Sequence, residues 1–505
     1  MRLLRVRKEA FVLDATLVAT LTTPPGDGLE AELEGVAWLE VRADLVGDLA
    51  PEPLRSRFSG KLLYTLRSRA EGGAWEGSPE RRKRRLLDAA ERFDLIDLEC
   101  ARDLVPDVLK AIPPQKRVIS WHGPALDLAG LKAVFEKMTA AEALLYKMVP
   151  TASQSGEEIP ALLLLESLKR RDVAAFAAGP VGAWTRLVAP RLGAPVVYGA
   201  LGDVPGAPGQ IAIRRLREDF GLPALPPVQR LFGVVGNPVL HSLSPRLHNA
   251  AYREMGLPFL YLPFHVESFG DFWLEVVESG LLEQVGMPLR GLSVTTPHKE
   301  AALAVAAAAS PRAELIGAAN TLVNQQEVWE AETTDPEGVV LPLLARGIDL
   351  AGRRAAVVGA GGAGRSAAEG LAVAGARVTL VNRTSERGQS AADHLKLPFI
   401  PLAEFQPSAF DLIVNATSLG RADGDPLPFA VDGLRPGTVV VDLVYKNGPT
   451  PLLRAAAARG LTVVDGREVL VYQALGQFRW MTGREMPVEP ALRLVGLPEA
   501  PEDTR

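Results

Sequence analysis

The sequence predicts an α/β protein: a (β/α)8 barrel followed by two further α/β units, one for substrate and one of the Rossmann dinucleotide-binding kind. Three observations carry this reading. Eight short, mostly apolar runs alternate with helical patterns over the first 220 residues, the pattern of a parallel sheet whose strands are buried on both faces. A seam at 221–230, GLPALPPVQR, holds four glycines or prolines in ten positions; proline fixes φ and removes amide donors, so neither a helix nor a sheet interior runs through it. Beyond the seam, the loop GAGGAG stands between a strand pattern and a helix pattern, as a dinucleotide fingerprint requires. The expected domains are therefore 1–220 (barrel), 221–230 (linker), 231–340 (substrate-binding), 341–470 (Rossmann) and 471–505, a C-terminal helical segment packing back on the substrate domain.

Composition narrows the function. In 505 residues, 47% hydrophobic and 23% charged with a formal charge of −5, there is ample apolar area for several cores and no electrostatic case for nucleic acid or a membrane surface. Small molecules are the expected partners. Cys100 is the only cysteine, so no intrachain disulfide forms, which fits a reducing, cytoplasmic setting; it reads as a small buried hydrophobe. Lys8, Glu9 and Asp14 interrupt the apolar lead-in, so this reads as the first strand rather than a signal peptide. No apolar run approaches the roughly twenty residues of a membrane span. The sequence does not report assembly state, and a homodimer is compatible with it.

The strand candidates are ATLVATLT, GVAWLEVR, KLLYTLR, LIDLEC, RVISWH, ALLYKMV, VAAFAAG and PVVYGAL. Between them, SPERRKRRLLDAAERF and DLAGLKAVFEKMTAAE repeat apolar residues at helical spacing, and the basic run 81–85 is expected on a solvated helix face. A barrel of this kind carries chemistry at the carboxyl ends of its strands, where Glu40, Arg42, Arg67, Glu99, His122 and Lys147 fall. Lys147 interrupts an apolar strand; desolvation and cationic neighbours there lower an ammonium pKa, and a neutral amine attacks a ketone to give a Schiff base, an electron sink that acidifies the adjacent carbon. His122 ends the preceding strand and suits a proton shuttle. Arg42, Arg67 and Arg186 offer bidentate donors to a carboxylate. Together these residues describe imine-assisted elimination from a carboxylated ketone.

The runs LEVRAD, YTLRSRAEGG, VISWH, LLYKMVP, GAWTR and GAPGQI resemble the successive motifs of type I 3-dehydroquinate dehydratase. The resemblance implies Lys147 as the imine-forming lysine and His122 as the general acid/base, with Glu40, Arg42, Arg67, Arg186 and Gln210 around the substrate. Gly123 stands where that family usually has an acidic residue, and Gly206 where it usually has a serine.

After the seam, Ser242 and Ser244 precede a helix opened by Ser244 as N-cap and Pro245, so two hydroxyls and the first amides point at one spot suited to a carboxylate. In GLSVTTPHKEAALAVA a strand ends at Thr295 and Thr296, and Lys299 opens a helix. The positive end of the dipole there disfavours a second cation, so this lysine calls for a carboxylate. Asp335, before the next helix, is the expected partner, with Asn320 nearby. Such a pair positions an ammonium to protonate a developing alkoxide. In the fingerprint, Gly359, Ala360, Gly361, Gly362, Ala363 and Gly364 bring amides to a pyrophosphate. The second strand ends in Asn382, Arg383 and Thr384 rather than an acidic residue, favouring the 2′-phosphate of NADP(H). The run DLIVNATSLG, containing Thr417, is expected on the nicotinamide side. No metal site is expected.

This half resembles shikimate dehydrogenase through SLSP, SVTTPHK, GAANTL, TTD, GAGGAG, NRT, NATSLG, DLVYKNGPTP and DGREVLVYQA. The resemblance implies Lys299 and Asp335 as the catalytic pair, with Ser242, Ser244, Thr295, Asn320, Asp335, Tyr445 and Gln473 lining a shikimate pocket. Thr333 stands where that family usually has asparagine. Joined, the halves imply dehydration of 3-dehydroquinate to 3-dehydroshikimate and its reduction to shikimate, steps of aromatic amino acid and chorismate biosynthesis. Two alternatives are a metabolite-sensing regulator derived from these enzymes and a quinate dehydrogenase in the second half.

Overall fold

The computed structural model describes residues 13–202, 204–225, 227–422, 424–446 and 448–498. The lead-in 1–12, Pro226 of the seam and the end of the 471–505 segment lie outside the described residues. The chain forms two compact units, one running to Pro245 with Tyr252–Leu289 added, the other comprising Arg246–Ala251 and the residues from Arg290 on.

In the first unit, eight parallel strands make a near-closed barrel, ordered Val173–Ala175, Leu145–Thr151, Arg117–Pro124, Leu95–Glu99, Lys61–Thr65, Trp38–Arg42, Thr16–Leu21 and Val196–Ala200. Each falls on one of the eight apolar runs, two of them extending two residues beyond it (Arg117–Pro124 and Leu145–Thr151), because strands covered by helices outside and side chains inside have no wet face. Helix Pro79–Arg92 starts as the sequence specifies, with the Ser78 hydroxyl accepting from Arg81 N and Pro79 in the first turn. Its basic run is not a uniformly solvated face: Arg82 is buried and bonded to both Asp103 oxygens at 2.7 and 2.8 Å, and Arg85 stacks on Trp75. Cys100 is half-buried, one residue past its strand, rather than in the core.

The seam contains a two-residue strand, Ala224–Leu225, antiparallel to Leu13–Asp14. The same unit continues with the parallel pair Arg230–Gly236 and Phe259–His265. Trp184, from the barrel, packs edge-on against Phe264 with ring centroids 5.3 Å apart.

In the second unit, the strand Leu289–Val294 from Arg290 on, Thr321–Gln325 and Val328–Glu332 run antiparallel in turn, and Ala308–Ala309 adds in parallel to the last. A six-stranded parallel sheet follows, ordered Phe399–Pro401, Arg377–Asn382, Arg354–Val358, Leu412–Asn415, Val439–Asp442 and Thr462–Val464. This is the doubly wound arrangement expected from the fingerprint, with its switch point beside Arg354–Val358. Aliphatic residues such as Val357, Leu371 and Val414 form its core.

Candidate active sites

Two chemically distinct constellations emerge, one in each unit. In the barrel, Lys147 is the third residue of its strand and pairs in register with Ser120, while His122, two residues further along the neighbouring strand, pairs with Val149. Both side chains line one cavity, together with Glu40, Arg42, Arg67, Arg186 and Gln210. All seven barrel residues expected at a site are therefore brought together.

Lys147 is buried, its Nζ 3.5 Å from Glu40 Oε1 and 3.9 Å from the centre of the Tyr198 ring. Burial lowers its pKa, and Glu40 and Asp97 only partly oppose that. Burial acts on Glu40 in the raising direction, but Lys147 and Arg42 outweigh it, so this carboxyl titrates below its ordinary range. Thr20 and Thr65 hydroxyls donate to its two oxygens at 2.8 and 2.9 Å. His122 is held well below its usual pKa by burial and then by Arg67, Lys147 and Arg42, so its imidazole is neutral and able to accept a proton. Glu71 Oε2 accepts the His122 main-chain N–H at 3.0 Å and lies 3.3 Å from Nδ1. Burial lifts the Glu71 carboxyl to about 7.

The arginines divide in their roles. Arg67 is taken up by protein carboxylates: its Nη2 donates to both Asp97 oxygens at 2.9 Å, and Nη1 donates to Ser120 Oγ at 2.9 Å and contacts Glu71 and Glu99 at 3.2 and 3.3 Å. Arg42 is bidentate to Asp44 and donates to Gly206 O at 2.7 Å. Arg186 differs: it is fully buried, its Nη1 reaches Tyr198 O at 3.3 Å, and its Nε and Nη2 have no hydrogen-bond partner among the described residues. Burial without a counter-ion lowers its pKa to about 10. An uncompensated buried guanidinium in a cavity is a receptor for an anion.

Gln210 closes the rim by accepting from Gly206 N at 2.7 Å and donating to Thr20 Oγ1 at 2.9 Å. At the two departures in this part the space is closed by neighbouring side chains. A Cβ on Gly206 would meet Thr20 Cγ2 at 2.8 Å, and one on Gly123 would meet Trp121 Cζ2 at 2.2 Å. Sequence reasoning missed Glu71, Asp97, Ser120 and Tyr198. The signal for Asp97 was present, since Asp97 and Glu99 alternate along LIDLE as inward positions of one strand do.

In the second unit, Lys299 opens helix Lys299–Val305 and Asp335 opens helix Asp335–Ala345, and Lys299 Nζ donates to Asp335 Oδ2. Asn320 Nδ2 donates to Asp335 Oδ1 at 2.8 Å, while its Oδ1 accepts from Thr334 N at 2.9 Å. Its amide thus orients the carboxylate. Gln477, missed from sequence, joins this frame through Ser293 Oγ at 2.9 Å and Asn320 O at 3.1 Å. Gln473 supplies its carbonyl to Thr334 Oγ1 at 3.0 Å. Thr295 lies one residue past Leu289–Val294, and Tyr445 is half-buried past Val439–Asp442. Thr333 is buried, and its hydroxyl has no hydrogen-bond partner among the described residues. In the first unit, Ser242 and Ser244 are buried, and Ser244 N donates to Ser242 Oγ at 3.2 Å. The helix starts at Ser244 itself.

The glycine loop fits a dinucleotide. Gly359 has φ +113°, and a Cβ on it would meet Ala416 O at 2.8 Å; a Cβ on Gly364 would meet Gly359 O at 1.9 Å. Helix Gly362–Val373 has no side-chain cap at Gly361, so its first amides remain for an anion. Asn382 Oδ1 accepts from Ala360 N at 3.2 Å and its amide donates to Thr384 O at 2.8 Å, fixing the loop against the strand end. Arg383 and Thr384 are exposed beside it. Thr417, next to the Gly359 turn, donates to Asn415 Oδ1 at 2.7 Å.

Comparison with known proteins follows the same division. Residues 26–222 match the family model for type I 3-dehydroquinase, 234–322 the shikimate dehydrogenase substrate binding domain, 343–421 shikimate / quinate 5-dehydrogenase, and 466–495 the shikimate 5'-dehydrogenase C-terminal domain. Shikimate dehydrogenase (NADP(+)) of Syntrophobacter fumaroxidans is 39% identical over 272 residues, covering 53% of this chain and 92% of that protein. The chain belongs to the shikimate dehydrogenase family. A type I 3-dehydroquinase precedes the dehydrogenase part. Across both parts the chain is similar to the chloroplastic bifunctional 3-dehydroquinate dehydratase/shikimate dehydrogenase of Arabidopsis thaliana, 29% identical over 490 residues, 90% of this chain and 79% of that protein. Among solved structures, shikimate dehydrogenase from Aquifex aeolicus is 33% identical with a TM-score of 0.49, covering 53% of this chain and 98% of that one. No helix among the described residues is long and apolar enough to cross a membrane.

Proposed function

We propose that the dehydroquinase part dehydrates 3-dehydroquinate to 3-dehydroshikimate through a Schiff base on Lys147, and that the dehydrogenase part reduces this product to shikimate with NADPH. The observation that carries the first step is one cavity lined by a buried lysine of lowered pKa, a neutral histidine and an arginine with two donors unpartnered among the described residues. The neutral Lys147 amine adds to the ketone and water leaves, giving an iminium. His122 takes the proton from the adjacent carbon, the electron pair moves toward the iminium nitrogen, and the β-hydroxyl departs as water, protonated by the imidazolium. Hydrolysis then returns the amine, for a net loss of one water. In this reading Arg186 holds the substrate carboxylate, while Glu40, Arg42 and Gln210 frame the ring. Arg67 acts mainly by fixing the carboxylates of Asp97, Glu99 and Glu71.

In the second step the cofactor, when bound, supplies hydride to the carbonyl carbon. Lys299 donates the proton to the oxygen as it becomes an alkoxide, and Asp335, oriented by Asn320, holds and aims that ammonium. Ser242 and Ser244 receive the substrate carboxylate, with Thr295, Tyr445 and Gln473 as further pocket residues. The amides of 359–364 would hold the pyrophosphate, and Arg383 and Thr384 the 2′-phosphate. The proposed boundaries remain 1–220, 221–230, 231–340, 341–470 and 471–505, and the single cysteine supports a cytoplasmic setting.

Borohydride trapping with 3-dehydroquinate tests the first step. Peptide mass analysis is expected to find the adduct on Lys147; an unmodified Lys147 under turnover conditions overturns the imine mechanism.

A further inference from the structure

The last barrel helix, Ile213–Glu218, sends Arg215 into the loop that carries SLSP. Its guanidinium donates to two main-chain carbonyls of that loop, Leu240 O and Ser242 O, the second at 3.0 Å from Nη2. Asp219, one turn further on and fully buried, accepts from Arg215 Nε at 2.6 Å and fixes the guanidinium from behind. Within the loop, Ser242 N donates to Val239 O at 2.9 Å and Ser244 N to Ser242 Oγ at 3.2 Å. The position of Ser242 O therefore sets where both hydroxyls stand. A second tie is parallel to the first: Arg253, near the end of helix Ser244–Glu254, donates to Glu218 O at 3.0 Å.

We propose that Arg215 is a positioning residue for the dehydrogenase reaction: through it, the barrel holds the loop that presents Ser242 and Ser244 to the substrate carboxylate. This rests on the reading of those two serines given above. The physical case is that a planar fork reaches two carbonyls at once, which a lysine cannot do. Its hydrogen bonds are charge-assisted, and the loop it grips is irregular backbone with no strand ladder of its own. A loop shift of about 1 Å is enough to weaken a bidentate carboxylate site severely. The dehydroquinase part is then structurally part of the dehydrogenase's substrate site, and joining the two has a consequence for binding as well as for supply.

The test uses the full chain. Arg215→Ala is expected to raise KM for shikimate about tenfold or more, while kcat, KM for NADP+ and 3-dehydroquinate dehydration stay within about twofold; Arg215→Lys recovers part of the loss. An unchanged KM for shikimate overturns the proposal. If Arg215→Ala loses dehydration as well, Asp219→Asn decides by the same criterion: a raised shikimate KM supports the proposal and an unchanged one overturns it. Ser242→Ala and Ser244→Ala separate the two readings. If they leave the shikimate KM unchanged, the serine assignment fails; if they raise it and Arg215→Ala does not, only the role of Arg215 fails.

Discussion

The Lys147 amine lies 3.5 Å from the Glu40 carboxylate, in a cavity where burial lowers the ammonium pKa and Glu40 is the strongest of the groups that raise it. The pair therefore tunes how much amine is neutral at a given pH. Glu40→Gln removes the opposing charge, so the Lys147 pKa falls further and the acid limb of the dehydration pH profile is expected to move to lower pH. An acid limb unmoved in kcat/KM against pH would show that another group controls nucleophilicity.

Arg186 is expected to be functionally required and structurally costly. Arg186→Met should lower kcat/KM for 3-dehydroquinate by about a hundredfold or more, the worth of two charged hydrogen bonds. It should not lower the thermal midpoint, because it removes a buried charge with no counter-ion. Steady-state kinetics and a melting curve on the same sample check both halves of this expectation; a marked loss of stability would mean that the guanidinium is a structural strut.

Glu158 gives stability a pH dependence. It is buried, accepts from Gly156 N at 2.8 Å and Trp184 Nε1 at 3.3 Å, and burial raises its pKa from 4.5 to about 7. Because the folded value is the higher one, this contribution is fully present below about pH 4.5 and is lost as pH rises through about 7, an upper limit of about 3 kcal/mol. Glu158→Gln should flatten the fall in unfolding free energy between about pH 5 and pH 8. Identical slopes for the two proteins in denaturant titrations would exclude this origin.

Lys299→Ala and Asp335→Asn should each cut shikimate oxidation by about a hundredfold to ten-thousandfold and leave 3-dehydroquinate dehydration intact. Lys147→Ala should do the reverse. Loss of both activities in any of these variants would contradict the division of labour.

The parts legible in the sequence are those where chemistry and local pattern coincide. All eight barrel strands were readable because strands covered on both sides must be apolar throughout, and Lys147 stood out as the exception inside one of them. Lys299 and Asp335 were readable because each opens a helix, where an unpaired cation is disfavoured. What sequence concealed was partnership over long separations. Arg67 reads as a carboxylate receptor, yet its donors go to Asp97, Glu99 and Ser120, brought in by neighbouring strands, and to Glu71 four residues on. Arg82 reads as surface charge until Asp103, 21 residues away, is found across from it. Tyr198 looks like filling in an apolar strand, and only the fold brings its ring to Lys147. Arg215 shows in the sequence only its i+4 pairing with Asp219, because the partners that give it a role are backbone carbonyls.

The central claim is that one chain performs both steps in succession. The direct measurement is NADPH absorbance after adding 3-dehydroquinate alone to the full chain. The account predicts steady NADPH consumption with shikimate as product, abolished by either Lys147→Ala or Lys299→Ala and restored in Lys147→Ala by supplying 3-dehydroshikimate. Constant absorbance with the unaltered protein, or consumption that persists in Lys147→Ala, would contradict it.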